Sequence, residues 1–444
     1  MALINHQRRS SQLLALALAK IAFVISGALL ISTCTLAQAE QTEVEKQAQE
    51  IVENFRQTLV LHEAQQSRHT KNLSEAGQLL FYRNRALTAQ LIDRLQNTLI
   101  SGDASEVEQF LHLFDQNDEW HDADHLALAG VIHELKLRLQ SDHPMQTRLD
   151  AALSSVAQIR TIYDGELTEA LTDRKNPHFS RPVWQAYLSF LHEHYRETQI
   201  LDALEAELPV RDEQLTPSPR GAAASERAGL SEWIDGGLPE KTLLLTFDDG
   251  PHPLYTPQVL AILSHFNIKA IFFEVGHNLG VMRNGHVAAL LHDDLEKRIA
   301  ADGHAVGNHS MSHPFMSKLD AVSVAREIDD SETLLAAAAP RSRVPLFRPP
   351  YGARNPLVLA EIAERGLRSV LWSIDSRDWA DPIPSSIAHR VVQEAEQRGS
   401  GIILFHDIHG RTVQALPIAL QELSRRGFKF AHWENGQLVI SNGR

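Results

Sequence analysis

Cysteine is almost absent from this 444-residue chain: the single one, Cys34, excludes an internal disulfide framework and every cysteine-rich zinc site. Any bound metal must therefore be held by histidine and carboxylate. Long apolar runs are missing too. Beyond the first forty residues, no segment approaches the roughly 20 consecutive apolar residues that a membrane-spanning helix requires. Positive charge is in short supply: 42 Lys and Arg stand against 56 Asp and Glu, for a net charge of -14. Such a field repels a polyphosphate, which argues against nucleic acid as a partner. What is present is ordinary globular composition, 43% hydrophobic and 22% charged, in a length that exceeds one ordinary core. Two or three domains are expected.

The N-terminus reads as an export signal. Arg8, Arg9 and Lys20 precede an apolar run from Ile21 to Ile31, and Ala37-Gln38-Ala39 offers small residues where a signal peptidase cuts. Cleavage after Ala39 removes three basic and no acidic residues, leaving 39 against 56 and a net charge of -17. The expectation is a mature protein without a membrane span, periplasmic or secreted. An uncleaved anchor is the alternative. A lipoprotein reading through Cys34 is weakened by Thr33, where Gly, Ala or Ser would be needed.

Two grammars follow. From residue 40 to 207 apolar residues recur at helical spacing, as in Val44, Ala48, Ile51, Phe55 and Leu59, and again in Leu87, Leu91, Leu95 and Leu99. Breaks near Ser101-Gly102, Asp142-His143-Pro144, Asn176-Pro177 and Arg181-Pro182 predict an all-α domain of five to seven helices. Its histidines are expected to be solvated or capping. It is expected to fold independently and to have little influence on activity toward short oligosaccharides. Residues 208–237 are rich in Pro, Gly and Ala and read as a linker. From 238 to 444 short β-rich runs (242–247, 270–275, 304–308, 344–348, 369–374, 401–406 and 429–433) alternate with helical stretches. That pattern implies a parallel sheet covered on both faces, doubly wound or closed into a barrel.

Most of those runs end in an ionisable cluster. Asp248-Asp249 follow the first, His309 and His313 the third, Arg348 the fourth, Asp375 and Asp378 the fifth, and His406 with Asp407 the sixth. In a βα barrel the loops after the strands make the active-site face, so these residues would converge there. In Thr246-Phe247-Asp248-Asp249-Gly250-Pro251, Gly-Pro stops the strand directly after two carboxylates, letting both reach the mouth. In isolation such a pair caps a helix or makes a turn. His309 and His313, four apart, lie on one side of the chain, and two His with one carboxylate leave open positions on a divalent ion, as a catalytic site requires. Arg348-Pro349-Pro350-Tyr351-Gly352 is stiffened by its prolines, although alone it is also a surface turn. Asp375-Ser376-Arg377-Asp378-Trp379 and Leu404-Phe405-His406 bring a carboxylate and a histidine, the pairing that orients an imidazole and keeps it protonated. Each also has a reading as helix cap or core histidine.

Taken in order, TFDDG, HSMSH, RPPYG, DSRDW and LFH make residues 238 to 444 resemble the NodB-homology polysaccharide deacetylases of carbohydrate esterase family 4. The resemblance implies an α/β fold, a distorted (β/α) barrel catalytic domain, here preceded by the all-α domain. It implies that Asp249, His309 and His313 hold one divalent ion, usually zinc, and that Asp248 is the general base acting on a water activated by that ion. His406 resembles the general acid, Arg348 the residue that orients the base, and Asp378 the one that tunes the acid. Trp379 and Leu404 resemble walls of the acetyl pocket, and the backbone N–H of Tyr351 an oxyanion donor. Ile271 stands where the family commonly shows Thr. The stretch between Gly276 and Asp302 looks like an inserted loop, with His277, His286 and His292 at the surface.

The expected function is an exported metal-dependent deacetylase acting on N-acetyl groups of an amino-sugar polymer: peptidoglycan, a chitin-like oligomer or an exopolysaccharide. The expected partner is that acetylated polysaccharide, with a protein partner considered for the helical domain. Two alternatives stay open at this point: O-acetyl ester hydrolysis at the same site, and a glycan-binding envelope protein without turnover. Loss of Asp248 or of a metal ligand would favour the latter, and none is lost.

Overall fold

In the computed structural model, residues 41–67, 71–117, 119–140, 143–172, 182–208, 232–234 and 237–441 are described. The proposed signal peptide, residues 1–39, and nearly all of the proposed linker, residues 208–237, lie outside them. The N-terminal half is helical: α1 Glu43–Ser67, α2 Lys71–Ile100, α3 Ser105–Gln116, α4 His125–Arg138, α5 Gln146–Thr172, α6 Pro182–His194 and α7 Glu197–Leu204. Helix α1 starts with a reciprocal cap, in which Glu45 N–H donates to Thr42 Oγ1 and Thr42 N–H donates to Glu45 Oε2. Its apolar stripe (Ala48, Ile51, Phe55, Leu59) is buried with Leu80, Leu91 and Leu95 of α2 in one core. That core takes one fully buried residue from the C-terminal half, Ile383. The breaks near Ser101 and His143 fall where expected.

The C-terminal half is built on parallel strands: β1 Thr242–Asp248, β2 Ile271–Glu274, β5 Ala305–Asn308, β6 Arg343–Phe347, β7 Arg368–Ser369, β8 Ile374–Asp375, β9 Gly401–His406 and β10 Lys429–Glu434. From β1 the sheet runs through β2, β5 and β6 to β7 on one side and through β9 to β8 on the other, with β10 joining the start of β1. It is a parallel half-barrel, a distorted (β/α) barrel whose path ends at β7 and β8. Only β11 Gln437–Ser441 pairs antiparallel within it. Every residue of β1 is buried, as a strand covered on both faces requires. Its side chains divide by alternation. Leu243, Leu245 and Phe247 pack outward with Val259, Leu260 and Leu263 of α8 (Thr256–Phe266) and with Leu416 and Leu420 of α14 (Gly410–Arg425). Leu244 faces the interior with Ile271, Phe273, Leu346 and Ile402.

Two expectations need correction. The run 369–374, read as one strand, is split into β7 and β8. The carbonyls of Val370 and Leu371 between them accept hydrogen bonds from Arg348 (3.1 and 3.0 Å), so they serve a side chain rather than a ladder. The stretch after Gly276, read as a loop, holds helix α9 Gly276–Leu279, an antiparallel hairpin of β3 Gly280–Arg283 and β4 His286–Leu290, and helix α10 Asp293–Ala301. Asn284-Gly285, both at positive φ, make its two-residue turn, the strongest short hairpin signal. His277, His286 and His292 are exposed, as expected.

Candidate metal and acid–base site

Register and alternation bring the first two groups together. Asp248 lies opposite His406, and Thr246 opposite Leu404, at the C-terminal ends of β1 and β9. Asp249 then turns out of the strand at φ 74, so it and Asp248 both reach the mouth instead of pointing to opposite faces. After β5 the chain turns twice more, at Ser310 (φ 70) and His313 (φ 60), which places His309 and His313 side by side with ring centroids 4.9 Å apart.

Asp249 Oδ1 is buried and has no hydrogen-bond partner, and it lies 3.4 Å from His309 Nε2 and 3.2 Å from His313 Nε2. His309 Nδ1 is 2.7 Å from the carbonyl of Arg348, a contact that makes Nδ1 the donor and leaves Nε2 as a lone pair facing Asp249. Three such atoms within 4.8 Å of one another, with an orphaned buried carboxylate oxygen among them, could hold a divalent cation. Burial would raise the Asp249 pKa, but the neighbouring imidazoles, His313 foremost, hold it well below the usual carboxylate range.

Asp248 is not in that triad. Its Oδ1 accepts from Arg348 Nη1 at 2.6 Å, and the same nitrogen donates to Thr246 Oγ1 at 2.8 Å. The guanidinium is fully buried, 4.2 Å above the Phe273 ring, and its remaining donors reach the carbonyls that split β7 from β8. It is held at every nitrogen, so it fixes where Asp248 points. On the opposite wall His406 Nδ1 lies 2.7 Å from Asp378 Oδ1. The other Asp378 oxygen accepts from the His406 N–H (2.8 Å) and from Thr412 Oγ1 (2.5 Å). Burial lowers the His406 pKa, but the charge and hydrogen bond of Asp378 outweigh it and raise it to about 9, while Asp378 is held down at about 2.

All ten residues singled out from the sequence therefore surround one spot. Asp248, His309, His313, Tyr351, Trp379, Leu404 and His406 line a single cavity of about 10 Å³, with Asp249, Arg348 and Asp378 directly behind. Tyr351 sits at φ 59, ψ 5 after the two prolines, in the left-handed region. Sequence reasoning missed five further contributors. Trp372 lines the cavity, Thr246 and Thr412 hold Arg348 and Asp378, and Gln78 and Tyr82 arrive from helix α2. The helical half thus enters the site, contrary to the expectation that it stands apart. Helical periodicity marks the buried stripe of α2 and carries no signal for which polar residues face a distant barrel.

The half-barrel with a His/Asp metal set at its mouth belongs to the NodB-homology polysaccharide deacetylases of carbohydrate esterase family 4. The polysaccharide deacetylase profile matches residues 235–370. The chain is 37% identical over 218 residues to a chitooligosaccharide deacetylase of Rhizobium leguminosarum bv. trifolii, covering 46% of this chain and 95% of that one. It is 37% identical over 196 residues to a peptidoglycan-N-acetylglucosamine deacetylase of Bacillus cereus, covering 43% and 85%. A family 4 carbohydrate esterase from Streptomyces lividans, solved with acetate, is 29% identical, covering 45% of this chain and 96% of that one, with a TM-score of 0.39. The chain belongs to this family and is a hydrolase of carbon–nitrogen bonds in acetylated polysaccharide.

Proposed function

We propose that the protein is an exported, metal-dependent N-deacetylase of N-acetylglucosamine polymers, peptidoglycan or chitin-like chains among them. The observation that carries this reading is the orphaned Asp249 oxygen facing two imidazoles, with an Arg-anchored carboxylate on one side and an Asp-anchored imidazolium on the other. Asp249, His309 and His313 would hold the ion, which when bound supplies Lewis-acid polarisation of a carbonyl and lowers the pKa of water. Zinc suits two nitrogen ligands and one oxygen. The names of the two relatives, one acting on chitooligosaccharide and one on peptidoglycan, support the substrate class.

The remaining work falls to side chains of this chain. Asp248, pointed by Arg348, takes the proton from the attacking water. His406, kept protonated by Asp378, delivers a proton to the departing amine. The Tyr351 backbone N–H donates to the developing oxyanion, a contribution of about 3 kcal/mol by comparison with other oxyanion donors. Trp379 and Leu404 bound the space for the acetyl methyl. No nucleophilic serine is needed, and Ser310 has a structural task, accepting the His313 N–H at 3.0 Å. The apolar run before Ala39 supports export.

The test is acetate release by purified residues 40–444, stripped of metal and then reloaded with zinc. The substrates are N-acetylglucosamine oligomers, peptidoglycan and an O-acetylated xylan. Zinc-dependent release from the amino sugars is expected. Release from the xylan alone would make the protein an ester hydrolase, and no release with metal bound would leave a glycan-binding role.

A further inference from the structure

Helix α2 presents Gln78, Phe81, Tyr82 and Arg85 at i, i+3, i+4 and i+7, one face of the helix, to the mouth of the half-barrel. The Tyr82 hydroxyl donates to Asp249 Oδ2 and lies 3.1 Å from His313 Nε2. Its ring rests on the His313 ring (centroids 4.2 Å apart) and against Tyr351 (5.1 Å). Arg85 adds a cation 3.9 Å from the same Asp249 oxygen. Catalytic metal sites keep one position open for water or substrate. Here a phenol oxygen stands within hydrogen-bonding distance of two of the three ligand side chains and lines the same small cavity. The space left is about 10 Å³, room for one water and far too little for an acetamido group.

The seat of this helix is partly polar and incompletely packed. Apart from Ile383, which joins the helical core, the helical and barrel cores are separate clusters, and side-chain links between the halves include polar ones: Ser385 Oγ to Asp164 Oδ1 (2.6 Å) and Arg160 Nη1 to Gln414 Oε1 (2.9 Å). Beside Tyr82, between the same helix and the barrel, lies a cavity of about 320 Å³ lined by Phe81, Arg85, Tyr255 and Trp379. Interfaces of this polar, incompletely packed kind permit relative motion of the bodies they join. Gly77 allows the close seat, because a Cβ there would stand 3.0 Å from the Trp379 ring.

We propose that helix α2 is a gate, with Tyr82 holding the deacetylase site shut until the helical half shifts. The inference rests on the proposed function in so far as that reading supplies the metal and the acetyl substrate. Tyr82 is thereby an access-controlling residue, carried on a part of the chain outside the catalytic barrel.

Access is read without turnover by titrating acetohydroxamate, a bidentate metal ligand, into the cobalt-loaded full chain and following the visible spectrum. Tyr82→Ala should bind it at least tenfold more tightly than the unaltered chain. Gly77→Leu, which pushes the helix off Trp379 without touching Tyr82, should do the same. Acetate release from an N-acetylglucosamine pentamer should rise in parallel. Unchanged or weaker hydroxamate binding in both variants overturns the gate, even if every chain releases acetate. Tighter binding with no acetate from any chain upholds the gate and refutes the substrate reading instead.

Discussion

Asp248 and Asp249 are neighbours in sequence with different surroundings, and this makes their proposed roles separable. Asp249 faces two imidazoles, whereas Asp248 is clamped by Arg348. Asp249→Ala or His313→Ala should lose metal and activity together. Asp248→Asn should retain one metal per chain while kcat falls by about 10²–10⁴, the span of general base catalysis. Metal analysis beside steady-state rates checks both, and full activity in Asp248→Asn would remove the base assignment. The second prediction concerns His406, whose pKa is raised to about 9, chiefly against burial, by Asp378. A general acid must be protonated, so activity should persist below that value and decline as pH rises through about 9. Asp378→Asn removes the cause of the rise and leaves burial, which lowers an imidazole. The alkaline limb should then move down by two or more pH units. The stability contributed by the same pair is complete between about 3.8 and 6.5, is lost as pH rises through about 9, and is lost at the acid end as pH falls through about 2.

At the scale of elements, β1 and β9 place the proposed acid and base because their register puts Asp248 opposite His406 at one end. The alternation that buries Leu243, Leu245 and Phe247 outward sends Leu244 inward, and Asp248 shares its parity. A second buried carboxylate set lies at the end of β2 and on α10. Burial and the charge of Glu296 push Glu274 well above the usual range, and burial pushes Glu296 to about 7. Both ionise near 4.5 in the unfolded chain, which therefore binds fewer protons than the folded one between that value and about 7. Stability should fall as pH rises across this window. Glu274→Gln removes one of the acids and should flatten the fall, so that the variant gains stability relative to the parent at pH 8 more than at pH 5. Urea unfolding at the two pH values decides the matter, and parallel shifts at both would contradict it.

For the whole molecule, two distinct cores joined through a partly polar interface predict two thermal transitions in calorimetry. Zinc should raise the one belonging to the barrel, since the proposed ligands Asp249, His309 and His313 lie in that half, by an amount that grows with free zinc over its Kd. A single transition that moves as a unit would mean that the Tyr82 contacts couple the halves more tightly than their packing implies. Export is tested at the same scale: protein recovered outside the cytoplasm should begin at Glu40.

Much of the site was legible because a strand covered on both faces spells out its own ends. Apolar runs halted at Asp248-Asp249, His309, Arg348 and His406 mark one rim, and ordered motifs name the family. The split of β7 from β8 was not legible, because it comes from Arg348 taking two carbonyls that β propensity assigns to a ladder. Nor was Tyr82, which lies 167 residues from Asp249. Local periodicity determined that the stretch with Leu87, Leu91, Leu95 and Leu99 is helical and that this stripe turns to a core. Only the tertiary structure decided that the helix lies over the proposed metal ligands, because that depends on how the two halves meet.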